Sequence, residues 1–231
     1  MLAENLQKVQ QNITQALAHR SEPKCTGTGV LLVAVTKNHP AAVVTDIQNL
    51  RVMDVGENRV QEARDKQKVL GHHGTWHLIG HLQTNKAKQA VELFDIIESV
   101  DSEHLLLALD KEAGKLGKRM DVLLQINIAG EVQKTGFAPA DYEAILPQLD
   151  KFTNIRVRGL MVIAPQTDQV ESVRPVFKEG YRYFCALRKV RPAIDYLSMG
   201  MTEDYQVAIE EGANVVRIGT ALFGPRDYSK H

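Results

Sequence analysis

The chain has 231 residues, 44% of them hydrophobic and 24% charged, a balance that suits one α/β barrel or two small domains and excludes a disordered, collagen-like or coiled-coil chain. Its 28 Lys and Arg match 28 Asp and Glu, so no global field gathers nucleic acid or an anionic membrane, and any bound anion is held locally. Two cysteines, Cys25 and Cys185, stand far apart in sequence without a CxxC pair or a His-rich tract, which argues against a disulfide framework or a zinc site and fits a reducing, cytoplasmic setting.

Residues 1–17 place Leu2, Leu6, Val9, Ile13 and Leu17 at helical spacing among polar residues, an amphipathic helix and neither a secretory nor a membrane-spanning segment. After a Ser/Pro/Gly-bearing loop at 21–29, the unbroken apolar run at 30–35 predicts a strand buried on both faces. Further strands are predicted at 52–55, 76–79, 94–100, 122–128, 155–163, 194–197 and 215–218, making eight. Helical periodicity occupies 41–50, 59–70, 86–93, 103–116, 139–149, 170–190 and 202–211. In the last of these Thr202 is placed to cap, Glu203 and Asp204 fall in the first turn, and Gly212 stops the helix. Strict alternation of strand and helix predicts an α/β fold, a (β/α)8 barrel with an extra N-terminal helix, as one domain spanning 1–231. A doubly wound sheet is the alternative, disfavoured because no glycine fingerprint follows the first strand.

Chemically capable residues collect where the strands end, the face on which barrel enzymes build their sites. Lys37 directly follows the first apolar strand; burial there would lower its pKa and leave an amine able to attack a carbonyl, whereas a strand-end lysine reaching solvent is the plainer reading. Asn58 and Asn85 could act as helix caps, and His77, inside a strand, reads as a hydrogen-bonded core histidine. Asn127 ends the fifth strand and the loop 130–136 carries Lys134 between glycines, either solvated or a second amine. The strongest local signal is the last pair of loops, Ser198-Met199-Gly200-Met201 and Gly219-Thr220-Ala221, where small residues, N–H groups and hydroxyls suit a phosphate. Arg217 lies within the eighth strand, where a permanent charge must find a partner.

Seven ordered motifs, Val33-Ala34-Val35-Thr36-Lys37, Gly56-Glu57-Asn58, Trp76-His77-Leu78-Ile79-Gly80, Gln83-Thr84-Asn85-Lys86, Gly159-Leu160-Met161, Leu197-Ser198-Met199-Gly200-Met201 and Val216-Arg217-Ile218-Gly219-Thr220, resemble the pyridoxal phosphate homeostasis protein family, relatives of the alanine racemase N-terminal barrel. The similarity runs from about Asn5 to Tyr228. It implies pyridoxal 5'-phosphate (PLP) as cofactor, held as a Schiff base on Lys37. It further implies that Ser198, with the backbone of Met199, Gly200, Gly219 and Thr220, holds the phosphate, that Arg217 faces the pyridine nitrogen, and that Asn58 and Met161 line the ring pocket. Lys134 is placed like a loop lysine proposed in the family as an alternative cofactor site. Where many members carry a second lysine soon after the first, this chain has Asn38-His39-Pro40.

The resemblance implies a role in intracellular PLP and vitamin B6 homeostasis, and indirectly in amino-acid pools, with PLP-dependent apo-enzymes as recipients and no robust catalysis. Racemases similar to this barrel take a catalytic tyrosine from a second, β-rich domain. The chain ends at His231, soon after the eighth strand, so that domain is not expected and a monomer is. Arg217 points the same way, because a guanidinium does not donate its proton to the ring and leaves it a weak electron sink. A weak PLP-dependent amino-acid racemase is the alternative, and an aldolase-type barrel that would purify colourless is the more distant one. No metal, nucleic acid or membrane partner is expected.

Overall fold

A computed structural model describes residues 1–131 and 133–225 of the chain; Val132 in the 130–136 loop and Tyr228, where the sequence similarity ends, lie outside them. Eight strands close a parallel barrel in sequence order: β1 (Leu31–Val35), β2 (Asp54–Glu57), β3 (Thr75–Leu78), β4 (Ile96–Val100), β5 (Met120–Ile126), β6 (Ile155–Val162), β7 (Tyr196–Met199) and β8 (Val215–Ile218). The seam is closed by β1 on β8, with Leu31 opposite Val215 and Ala34 opposite Ile218. The helices are α1 (Leu2–Ala18), α2 (Ala42–Asn49), α3 (Val60–Leu70), α4 (Ala87–Leu93), α5 (Glu103–Lys115), α6 (Pro139–Ile145), α7 (Arg174–Val190), α8 (Tyr205–Glu210) and the single turn α9 (Thr220–Phe223). No helix among the described residues is long and apolar enough to cross a membrane.

Strand residues alternate between two environments. Ala34, Val55, Trp76, Ile97 and Leu160 face the helices in the large outer core with Phe94, Phe177 and Phe184. Val35, Ile79, Ile96, Leu123 and Met161 form a small separate cluster inside the barrel. That interior is filled, as small barrels require: a Cβ on Gly56 would lie 3.0 Å from Val33 Cγ1 and 3.1 Å from Ile79 Cδ1. The extra helix α1 buries Leu6, Val9 and Ala16 and is fixed by hydrogen bonds that Asn5 Nδ2 donates to the Leu222 carbonyl (2.8 Å) and Asn12 Nδ2 to the Tyr205 hydroxyl (2.9 Å).

All eight expected strands are present, with β2 and β7 displaced two residues later and β5 two residues earlier than expected; the other differences lie at helix ends. The helix predicted over 139–149 stops at Ile145 and continues as a 3-10 segment, Leu146–Lys151, because Pro147 has no N–H to extend the ladder. The one predicted over 170–190 begins as a 3-10 turn, Val170–Val173, before α7, with Pro175 in the first turn. Thr202 does not cap the eighth helix: α8 starts at Tyr205, Asp204 Oδ1 accepts the Met201 N–H (2.6 Å), and the Thr202 hydroxyl instead accepts from Ala221 N (3.4 Å). Neither Asn58 nor Asn85 is an N-cap, since Arg59 and Lys86 hold those positions before α3 and α4.

Candidate ligand cleft at the mouth of the barrel

A cleft of about 740 Å³ opens over the C-terminal ends of the strands. Val35, Ile79, Met161 and Ile163 supply its apolar wall; Lys37, Asn58, Lys134, Arg217, Gly219 and Thr220 bring polar groups; the segments 164–168 and 201–204 form its rim. Alternation along the strands explains the set, because every second residue points inward and the last inward position of each strand faces the mouth. Of the expected site residues, Lys37, Asn58, Met161, Lys134, Arg217, Gly219 and Thr220 come together here. Ser198, Met199 and Gly200 do not line it. They are buried below, where Met199 belongs to the outer core and the Gly200 carbonyl accepts the Arg217 N–H (3.0 Å). Gly200 has φ +92°, and a Cβ there would lie 2.7 Å from Tyr205 Cα, so glycine alone suits the turn that leads to α8.

Lys37 emerges half-buried from a clamp that the sequence did not reveal. Lys66 Nζ, on α3, donates to the Thr36 carbonyl (2.7 Å), to Glu57 Oε1 (2.5 Å) and to Glu62 Oε1 (2.9 Å), while the Thr36 hydroxyl donates to the same Glu57 oxygen (2.5 Å). On the other side of Lys37, the Asn38 N–H donates to Glu62 Oε1 (2.6 Å). Asn38 has φ +62°, a left-handed conformation that asparagine tolerates better than most residues, and the chain turns sharply there. Both backbone neighbours of Lys37 are therefore anchored to one buried ionic cluster. Burial pushes the Glu57 carboxyl up to about 7, against the opposing pull of Lys66.

Lys66→Met tests this clamp. At pH 6 Glu57 is largely protonated and the loss is expected to be about 1–2 kcal/mol; above pH 7 the lost ion pair raises it to about 3–5 kcal/mol. Denaturant melts at pH 6 and pH 8 check this, and a loss independent of pH would show that Glu57 does not titrate with Lys66.

Beneath the cleft a second chain of polar groups crosses the barrel interior. Asp54 Oδ1 pairs with His77 Nε2 (3.1 Å), His77 Nδ1 with Glu98 Oε1 (2.7 Å), the Ser198 hydroxyl donates to Glu98 Oε2 (2.5 Å), and Arg217 Nη1 donates to Ser198 Oγ (2.5 Å). Arg217 Nη2 donates to the Val162 carbonyl (3.1 Å), and its Nη1 lies 3.9 Å from Glu98 Oε2. Burial presses the Arg217 guanidinium downward while Glu98 and Asp204 hold it up. Burial likewise opposes a charge on His77, but the hydrogen bonds to Asp54 and Glu98 outweigh it and raise the imidazole to about 9. His77 is thus the hydrogen-bonded core histidine expected, and Arg217 has an ion-pair partner inside the barrel as well as a place in the cleft. The sequence does not reveal the segment 164–168, Glu98 or the Lys66 clamp; Glu57 directly after the second predicted strand and Glu98 within the fourth were the available signal.

Lys134 stands between the main cleft and a side pocket of about 220 Å³ that it lines with Gln125, Asn127, Gln133 and Thr135. Its Nζ donates to the Ala164 carbonyl (3.0 Å) and pairs with Glu131. Asn127 organises this loop, donating from Nδ2 to the carbonyls of Glu131 (2.9 Å) and Lys134 (3.3 Å).

An amine just after β1, a cation on β8 and a small-residue turn after β8, set around an apolar wall, suit an anionic, carbonyl-bearing ligand. The alanine racemase N-terminal domain family matches residues 4–227. The pyridoxal phosphate homeostasis protein of Pasteurella multocida is 36% identical over 234 residues, covering 99% of both chains, and that of Aquifex aeolicus is 39% identical over 85% of this chain and 87% of its own. The chain belongs to the pyridoxal phosphate homeostasis protein family. Among solved structures, PipY of Synechococcus elongatus PCC7942 with PLP bound is 40% identical, with a TM-score of 0.82 over 97% of this chain and all (100%) of its own. An alanine racemase of Clostridium difficile 630, 16% identical with a TM-score of 0.73, shares the fold and extends beyond it, since 57% of that chain is covered.

Proposed function

We propose that the chain, acting as one domain, binds PLP in the cleft as a Schiff base on Lys37 and serves intracellular PLP and vitamin B6 homeostasis without robust catalysis of its own. The observation that carries this reading is that Lys37, Arg217, Gly219 and Thr220 line one cleft. That donor set fits PLP: an amine for its aldehyde, an apolar wall of Val35, Ile79, Met161 and Ile163 for its ring, and the turns after β7 and β8 for its phosphate. Relatives named for PLP homeostasis, and a 40% identical protein solved with PLP, support the same reading.

When bound, PLP supplies a reactive aldehyde and an electron-withdrawing ring. Lys37 Nζ would hold the aldehyde, and the anchored neighbours Thr36 and Asn38 keep that amine in place. Asn58 and Met161, which line the cleft, would flank the ring. Gly219 and Thr220, with the turn at 201–204, would receive the phosphate, while Ser198, Met199 and Gly200, buried beneath the cleft, would support that turn from below. Arg217, fixed by Ser198 and the Val162 carbonyl, would face the ring nitrogen as a cation that does not pass on its proton. That makes carbanion chemistry unfavourable and favours a carrier. The protein acts as a cytoplasmic monomer that exchanges PLP with apo-enzymes, and Lys134, at the rim of the same cleft, serves as a second amine.

Borohydride reduction of the PLP-loaded protein followed by peptide mapping tests the assignment, alongside a racemisation assay with L- and D-alanine. One reduced adduct on Lys37 and no turnover above background are expected. A colourless protein that takes up no PLP would overturn the reading, and racemisation at ordinary enzymatic rates, about 1–1,000 per second, would replace the carrier with an enzyme.

A further inference from the structure

We infer that Cys25 and Cys185 form an oxidisable dithiol, a modification site on the barrel face opposite the cleft, which closes to an intramolecular disulfide by exchange with a low-molecular-weight disulfide. The two residues lie 160 apart in sequence, yet their Sγ atoms are 3.0 Å apart. A disulfide needs about 2.0 Å, so the side chains have about 1 Å left to travel.

The pairing is built into the fold. Cys25 sits in the loop between α1 and β1, and that loop is tied to the turn before β8: the Arg20 guanidinium donates to the carbonyls of Ile209 (2.8 Å) and Ala213 (2.9 Å), and the Thr26 hydroxyl to that of Gly212 (2.8 Å). From the other side, α7 holds the same loop, with the Cys25 N–H donating to the Tyr181 hydroxyl (2.9 Å) and Arg188 donating to the Cys25 carbonyl. Cys185 lies between Tyr181 and Arg188 on that helix. These contacts lie at the N-terminal ends of β1, β7 and β8, away from the cleft.

The two thiols differ in access. Cys25 is exposed, whereas Cys185 is half-buried and its thiol is pushed up by that burial. Cys25 therefore meets the reagent first. Its thiolate, having given its proton to solvent, attacks one sulfur of the external disulfide; that S–S bond breaks and one thiolate leaves. The Cys185 thiolate then attacks the Cys25 sulfur and expels the second thiolate. Two protein thiols are oxidised by two electrons, and one external disulfide is reduced to two thiols. The product links the segment before β1 to the helix before β7, across the seam where β8 meets β1. Because so long a loop is closed, the unfolded chain is strongly restricted, and melting is expected to rise by about 5–15 °C.

The test treats reduced protein with oxidised glutathione, then counts titratable thiols, measures intact mass, maps peptides and records melting with and without dithiothreitol. Loss of both thiols, a mass lower by two hydrogens, a peptide joining residues 25 and 185, and a rise in melting reversed by dithiothreitol are expected. Cys25→Ser and Cys185→Ser, each conservative in size, should each abolish the rise while melting like the reduced wild type. Two thiols still titratable, a stable glutathione adduct without the internal link, or a disulfide-linked dimer would each overturn the proposal. None of these readouts involves the cleft or its ligand.

Discussion

Lys37→Ala is expected to remove most of the borohydride-trapped cofactor adduct, leaving at most a minor one on Lys134, and to let PLP dissociate on gel filtration. The remaining cleft, with Arg217, Gly219, Thr220 and the apolar wall, still receives the phosphate and ring, so residual binding weakened by about 10- to 100-fold, on the order of 1.4–2.8 kcal/mol, is expected in equilibrium titration. Loss of fold does not account for this result. Lys37 is half-buried at the mouth, and the clamp beside it is made by Thr36, Asn38, Glu57, Glu62 and Lys66, so stability should stay within about 0.5 kcal/mol of wild type. Lys134 is the internal control, because it lines the same cleft. An undiminished adduct in Lys37→Ala that maps to residue 134 would make Lys134 the primary amine and sink the assignment of Lys37.

The fold was legible because a barrel strand buried on both faces leaves a continuous apolar run, as at 30–35 for β1, and because strand-like and helical segments alternate strictly along the chain. Lys37 could be placed at the mouth from its position directly after that run, whereas Met161 and Arg217 were placed beside it by the family resemblance; all three line the cleft. What was not legible depends on contacts between elements. Lys66 lies 30 residues from the Thr36 carbonyl it binds, and on α3 it reads as one more charge on a solvated helix. Thr202 has the residue type of a cap, but Asp204 two residues later competes for the same turn and takes the Met201 N–H. Cys25 and Cys185 carry no spacing signal, because only the packing of the first loop on α7 makes them neighbours. Glu57 and Glu98 were visible as charges at or within strands, yet their partners sit on other strands and helices.

Glu98→Gln is expected to cost about 3–5 kcal/mol, lowering the melting temperature by about 6–20 °C, because it preserves shape but leaves two buried cations, His77 and Arg217, without their shared anion. The pH dependence distinguishes this cause from a general packing loss. In the wild type His77 is raised to about 9 from an ordinary 6.5, so the folded state binds a proton that the unfolded chain releases sooner. The resulting stabilisation is complete below pH 6.5 and is lost as the pH climbs through 9, a difference of about 3 kcal/mol across the window. Without the Glu98 charge, burial opposes the imidazolium and Asp54, 3.1 Å away, is the remaining carboxylate on it. His77 then becomes neutral at a lower pH, and the variant lacks most of this slope. The gap between wild type and Glu98→Gln should therefore be widest near pH 6.5 and narrow by about 3 kcal/mol towards pH 9.5, as read from denaturant melts of both proteins. A gap that stays constant would mean that His77 is buried neutral, and that Glu98 balances Arg217 alone through Ser198.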